Sequence, residues 1–115
     1  VAEIVEEGRR RLGEVPVILG EVGIPFDLGR KRAFSTGDYR VQEEALDASL
    51  AAVEASLADY AIWCWSPDND NAWGDQWNDE DFSIHSREGA PDRSLAGTSG
   101  YEGGRALRAA LRPYA

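Results

Sequence analysis

The sequence predicts an α/β chain built from parallel β/α units. Two observations carry that class: helical and strand-like stretches alternate along the 115 residues, and both strand-like stretches are short, continuous apolar runs, the pattern of parallel strands buried on both faces. A third observation bounds it. Two parallel strands cannot close a core by themselves. Both an open doubly wound sheet and a (β/α)8 barrel of about 250 residues need more strands than the chain contains. The chain is therefore expected to be part of a larger domain.

The elements follow in order. Residues 2–12 place Ile4, Val5, Gly8 and Leu12 on one helical face, with Glu3, Glu6 and Glu7 early and Arg9, Arg10 and Arg11 late, as the helix dipole favours. Gly13 should end this helix. Val15-Pro-Val-Ile-Leu19 reads as the first strand, with Pro16 tolerated only near its start. Residues 23–37 are rich in Gly, Pro and charge and read as a loop. Asp38 is a suitable cap for the next helix, in which Leu46, Leu50, Val53 and Leu57 form the core-facing stripe. Glu43, Glu44, Asp47 and Glu54 take its solvated side. Tyr60-Ala-Ile-Trp-Cys-Trp65 is the second strand, too short for a buried helix and rich in β-formers. A long loop, 66–103, precedes a last helix with Leu107 and Leu111 on one face and Pro113 as its stop. Arg105, Arg108 and Arg112 follow helical spacing there and read as a solvated face or as partners for acidic neighbours.

Composition excludes several functions. The net charge is −9, with 21 acidic residues against 12 basic ones, so nucleic acid and anionic membrane surfaces are repelled. No apolar run approaches the roughly 20 residues of a membrane span, which leaves at most peripheral membrane contact. Cys64 is the only cysteine, so neither an intrachain disulfide nor a multi-thiolate metal site can form, and a reducing, cytoplasmic setting is expected. The chain opens at Val1 and reads as an internal or C-terminal piece, with any targeting signal left upstream.

The chemistry concentrates at the C-terminal ends of the two strands and in the loop after the second, where β/α proteins carry their functional residues. Glu21 directly follows the apolar run Val17-Ile-Leu19-Gly20. A carboxylate there is out of place without a job or a partner, and Arg30, Lys31 or Arg32 could supply an ordinary ion pair instead. Trp63 and Trp65 end the second strand, and strand alternation would put both indoles on one side. The C–H faces of a pyranose pack on such aromatic plates. Trp63 is the favoured floor and Trp65 a support or loop anchor. The segment 67–81 holds six acidic residues, no basic residue and two tryptophans. Its Asp70, Trp73, Asp75, Trp77, Asn78 and Glu80 offer acceptors and plates for a hydroxyl-rich ligand. A partial calcium-loop pattern runs from Asn69 through Asn71 and Gly74 to Glu80, but Trp73 occupies a ligand position. No resident metal or cofactor is expected. Gly20 to Gly23 lacks the spacing of a phosphate loop, and His85 and Cys64 are isolated.

Three segments together carry a resemblance: Val17-Ile-Leu-Gly-Glu-Val-Gly-Ile-Pro-Phe-Asp27, Thr36-Gly-Asp-Tyr39 running into Gln42 and Ala45-Leu-Asp47, and Trp73-Gly-Asp-Gln-Trp-Asn-Asp-Glu-Asp-Phe-Ser83. They resemble glycoside hydrolase family five, in the endoglycoceramidase-related branch that includes fungal glucocerebrosidases and steryl-β-glucosidases. The family pattern has His at the position of Asn71, Gly at Asp79, Leu at Phe82 and usually an aromatic at His85.

The resemblance implies that residues 1–115 are the C-terminal portion of a (β/α)8 barrel, about strands seven and eight with their helices. Glu21 would be the nucleophile ending strand seven, Trp63 the floor ending strand eight, and loop 66–103 a wall of the substrate cleft. The activity implied is hydrolysis of lipid-linked β-glucosides with retention, the aglycone being ceramide or a sterol seated near Ile24, Pro25 and Phe26. The acid/base glutamate would lie outside this chain, with the remainder of the barrel as its obligatory partner. The competing reading is a non-catalytic carbohydrate- or calcium-binding module using the 68–81 loop.

Overall fold

The computed structural model describes residues 1–13, 15–88 and 103–112. Helix α1 (Ala2–Leu12) ends at Gly13, whose φ of 82° only glycine adopts without strain and whose N–H donates to the Arg9 carbonyl. Glu7 pairs with Arg10 and Arg11 on its solvated side. The expected four-residue face is only partly realised: Val5 is buried, but Ile4 and Leu12 are each 70% exposed.

Strand β1 (Ile18–Val22) begins later than the apolar run suggested, because Pro16 has no N–H to contribute to a ladder. Pairing starts where Asp59 N–H donates to the Val17 carbonyl at 3.0 Å. Strand β2 (Asp59–Ile62) lies parallel to β1, with Ile18 opposite Asp59, Leu19 opposite Tyr60 and Val22 opposite Ile62. Burial on both faces is not observed. Ile18 is 67% exposed, so one face packs on the core and the other is open.

Between the strands come two helices, where the sequence indicated one. Helix α2 (Leu28–Thr36) occupies part of the expected loop 23–37. Its opening is a left-handed turn through Gly29, Arg30 and Lys31, and only Ala33 is buried, so no apolar period announces it. Helix α3 (Arg40–Ala55) buries Leu46, Leu50 and Val53 as the stripe predicted, and adds Gln42, whose Nε2 donates to the Phe26 carbonyl at 3.3 Å. The cap position falls at Tyr39 rather than Asp38, which lies one residue earlier and accepts the Arg40 N–H with its side chain. Leu57 lies past the helix end with φ of 51° and leaves the stripe, 86% exposed.

Helix α4 (Leu107–Ala110) is a single turn packed on α3. Arg105 precedes it and is buried rather than solvated, meeting an acidic neighbour in Asp81. Arg112 does meet acidic neighbours, pairing with Asp47 and, at 3.0 Å, with Glu54 on α3. Pro113 and residues 89–102 of the long loop lie outside the described residues. The core gathers Val5 from α1, Val22 from β1, Ile24 and Phe26 after it, the α3 stripe, and Ala106 and Ala109 at α4. Among the described residues no helix is long and apolar enough to cross a membrane.

Candidate active site

Glu21 owes its placement to a bulge. Between the paired positions Leu19 and Val22, β1 uses two residues, Gly20 and Glu21, where β2 uses only Ala61. The extra residue breaks side-chain alternation and leaves Glu21 exposed at the C-terminal end of the strand, a device often found beside active sites. Among the described residues no cation pairs with Glu21. Lys31, one of the three alternatives, instead donates to the Asn71 and Ala72 carbonyls.

The chain then turns so that the ends of β1 and β2 touch. Trp63 N–H donates to the Val22 carbonyl at 2.8 Å, and a Cβ built on Gly23 would fall 1.9 Å from the Trp63 carbonyl oxygen. Only glycine permits that approach. The Trp63–Cys64 peptide is cis. Because β2 ends at Ile62, alternation does not carry on to Trp65, and the two indoles part company. Trp63 turns to the same cleft as Glu21, whereas Trp65, 56% exposed, packs its ring on His85 with centroids 5.8 Å apart.

The acidic loop is held by its own aspartates. Asp70 Oδ1 accepts the N–H groups of Ala72 and Trp73 at 2.9 and 2.7 Å. Asp75 accepts from Trp77 N–H with one oxygen and from Phe82 N–H with the other, each at 3.0 Å, and its second oxygen also lies 3.6 Å from Cys64 Sγ. These are Asx-type turns, in which a short carboxylate replaces a backbone acceptor. The Cys64 thiol is pushed up to about 12, first by burial and then by the nearby Asp75 carboxylate. Gly74, at φ of 66°, lets the Glu80 carbonyl approach its Cα.

The result is a cleft of about 390 Å³ lined by Glu21, Gly23, Trp63, Trp77, Asn78, Glu80 and Phe82. Five of the eight residues singled out from sequence meet here: Glu21, Trp63, Trp77, Asn78 and Glu80. Asp70 and Asp75 do not line it, their oxygens being engaged with the loop backbone. Trp73, 75% exposed, lines a separate open cleft with Gln76, Asn78 and Asp79. Phe82 lines the cleft with no role in the sequence reading, whereas Gly23 is a flanking glycine that admits another group to the backbone beside Glu21, here the Trp63 carbonyl. Phe82, an apolar residue amid charges, was the available signal. Ile24 and Phe26 are buried in the core, so they cannot seat an aglycone as expected. Among the described residues no group of three or more His, Cys, Asp or Glu side chains is placed to hold a metal ion.

Buried Asp81 backs the cleft wall, ion-paired at 2.6 Å with Arg105. Burial pushes its carboxyl above the ordinary range while the guanidinium pulls the other way.

The described residues thus form an α/β unit, a parallel strand pair with a carboxylate and an indole at its adjacent strand ends. Comparison with known proteins is more specific: the chain is homologous to part of the fungal glucosylceramidases and steryl-β-glucosidases. It is 39% identical to a glucosylceramidase of Rhizopus delemar over its whole length, covering 18% of that protein. It is 45% identical to the ergosteryl-β-glucosidase of Saccharomyces cerevisiae over 79% of the chain and 12% of that protein. Superposition on a crystal structure of Cryptococcus neoformans sterylglucosidase 1 gives a TM-score of 0.83 at 35% identity, with 98% of this chain and 18% of that one covered. The chain thus spans less than a fifth of the relatives it matches. No family model matches it.

Proposed function

We propose that the chain is the nucleophile-bearing part of a retaining β-glucosidase that acts on lipid-linked glucosides, glucosylceramide or a steryl glucoside, and that it forms the last two strands of a (β/α)8 barrel. The observation that carries this is the shared cleft of Glu21 and Trp63, each at the C-terminal end of its strand. The names of the relatives supply the substrate class.

In this reading the glucose ring lies on the Trp63 indole, with Asn78 and Glu80 engaging its hydroxyls and Trp77 and Phe82 closing the side. A Glu21 oxygen attacks the anomeric carbon as the bond to the aglycone oxygen breaks. That oxygen takes a proton from a second carboxyl, about 5 to 5.5 Å from Glu21 in such enzymes, contributed from outside these 115 residues. The second carboxylate then removes a proton from water, which displaces Glu21 and releases β-glucose. Loop 66–103 forms a wall of the cleft through its residues 77–82. The exposed bulge gives Glu21 the freedom of approach that an attacking carboxylate needs.

The test is covalent trapping. A β-glucose-configured epoxide applied to the intact enzyme should label one carboxylate, and peptide mapping should find it at Glu21. A label on any other residue overturns the assignment.

A further inference from the structure

Behind the cleft lies a buried charge for which the proposed mechanism has no use. The Arg105 side chain is wholly inaccessible to solvent. Its Nη1 donates to Asp81 Oδ1 at 2.6 Å and to the Ser83 carbonyl at 3.4 Å, and its Nη2 donates to Asn71 Oδ1. The guanidinium carbon sits 4.6 Å from the centre of the Phe34 ring and 5.4 Å from that of Phe26. Its backbone N–H donates to the Ile84 carbonyl at 2.8 Å.

The acceptors belong to the cleft wall or its footing. Asp81 stands between Glu80 and Phe82, both of which line the cleft. The Asp81 carbonyl accepts the Phe26 N–H at 2.6 Å, which ties the wall to the segment leaving β1. The Phe82 carbonyl accepts the Cys64 N–H at 3.2 Å, next to the Trp63 floor. Asn71 Oδ1 also accepts the Ser86 hydroxyl at 3.0 Å. A buried cation is costly unless fully paired, and an apolar side chain of similar volume would fill the space more cheaply. What the apolar chain lacks is a rigid fork that holds several acceptors at fixed angles.

We infer that Arg105 is a positioning residue of the cleft: through Asp81 and Asn71 it fixes the 77–82 wall relative to Glu21 and Trp63. Glucosyl binding then depends on a residue that reaches the site from beyond the long loop without touching it. The inference rests on reading the cleft as the glucosyl site.

Steady-state kinetics on the intact enzyme with a nitrophenyl β-glucoside test it, using Arg105→Met, Arg105→Lys, Trp77→Ala and the Arg105→Met/Trp77→Ala pair. Displacing a binding wall by an ångström costs up to about a hundredfold, so Arg105→Met should lower kcat/KM by about 10- to 100-fold, mostly through KM. Arg105→Lys should recover only part of that. A purely structural role would reduce the active fraction, and hence kcat, with KM unchanged. The double variant should be little worse than Trp77→Ala alone. Additive losses would mean that Arg105 does not act through the wall, and would overturn the inference while leaving the cleft reading intact. Trp77→Ala without kinetic effect would sink both. Should Arg105→Met fail to fold, Asn71→Ala removes one acceptor and spares the ion pair; an unchanged KM in that variant also overturns the inference.

Discussion

At the scale of single residues, Glu21 carries the sharpest prediction. Glu21→Gln keeps the shape of the side chain and removes its nucleophilicity, so glucoside hydrolysis by the intact enzyme should fall about a thousandfold, equivalent to about 4 kcal/mol of barrier. Retention of more than a tenth of the activity would exclude it as the attacking group. Cys64 makes a second. A thiol held at about 12 is protonated at neutral pH, so alkylation by iodoacetamide at pH 8 should be slow. Asp75→Asn should speed it by removing the adjacent charge. Because this folded value lies above the thiol's ordinary 9.0, its contribution to stability is complete below about 9 and is lost as pH climbs towards 12. Denaturation midpoints across that window check the sign. The placement of Glu21 and Trp63 at neighbouring strand ends, on one cleft, was legible from sequence because both follow apolar strand runs. Arg105 was not: its spacing with Arg108 and Arg112 looked helical, but α4 begins only at Leu107, and its main partner, Asp81, lies 24 residues back.

At the scale of elements, the helices that were legible are those with a 3.6-residue apolar period and an end signal. α3 showed its stripe, and α1 showed its terminal glycine. α2 had neither, and its left-handed opening through Arg30 and Lys31 defies local propensity. The bulge was equally hidden, since register depends on a partner strand some forty residues away, and Gly20 gave no more than permission for it. The contact between strand ends yields a prediction of its own. Gly23→Ala puts a Cβ against the Trp63 carbonyl and should cost about 1 to 3 kcal/mol through overpacking, with a shift in tryptophan emission as the strand ends separate. Chemical denaturation and fluorescence of the variant measure both effects, and a wild-type spectrum would show that the backbone yields there at no expense to Trp63.

At the scale of the whole molecule, the open face matters most. Ile4, Leu12 and Ile18 stand at 67 to 70% exposure on α1 and β1. The chain spans 18% of the Rhizopus relative's length, and on the proposed barrel reading neighbouring β/α units would cover these residues. The isolated 115 residues should therefore bind a hydrophobic dye and hydrolyse no glucoside, and supplying the remaining segment in trans should quench the dye signal and restore turnover. A dye-silent, monomeric chain would contradict the barrel reading. The two clefts that share Asn78 lead to a different consequence, for redesign. Trp73, Gln76 and Asp79 open on one side of that residue, while Glu21, Trp63, Trp77 and Glu80 meet on the other. Randomising the first group alone should leave the demand for glucose in place, so the loop offers a natural partition for a specificity library.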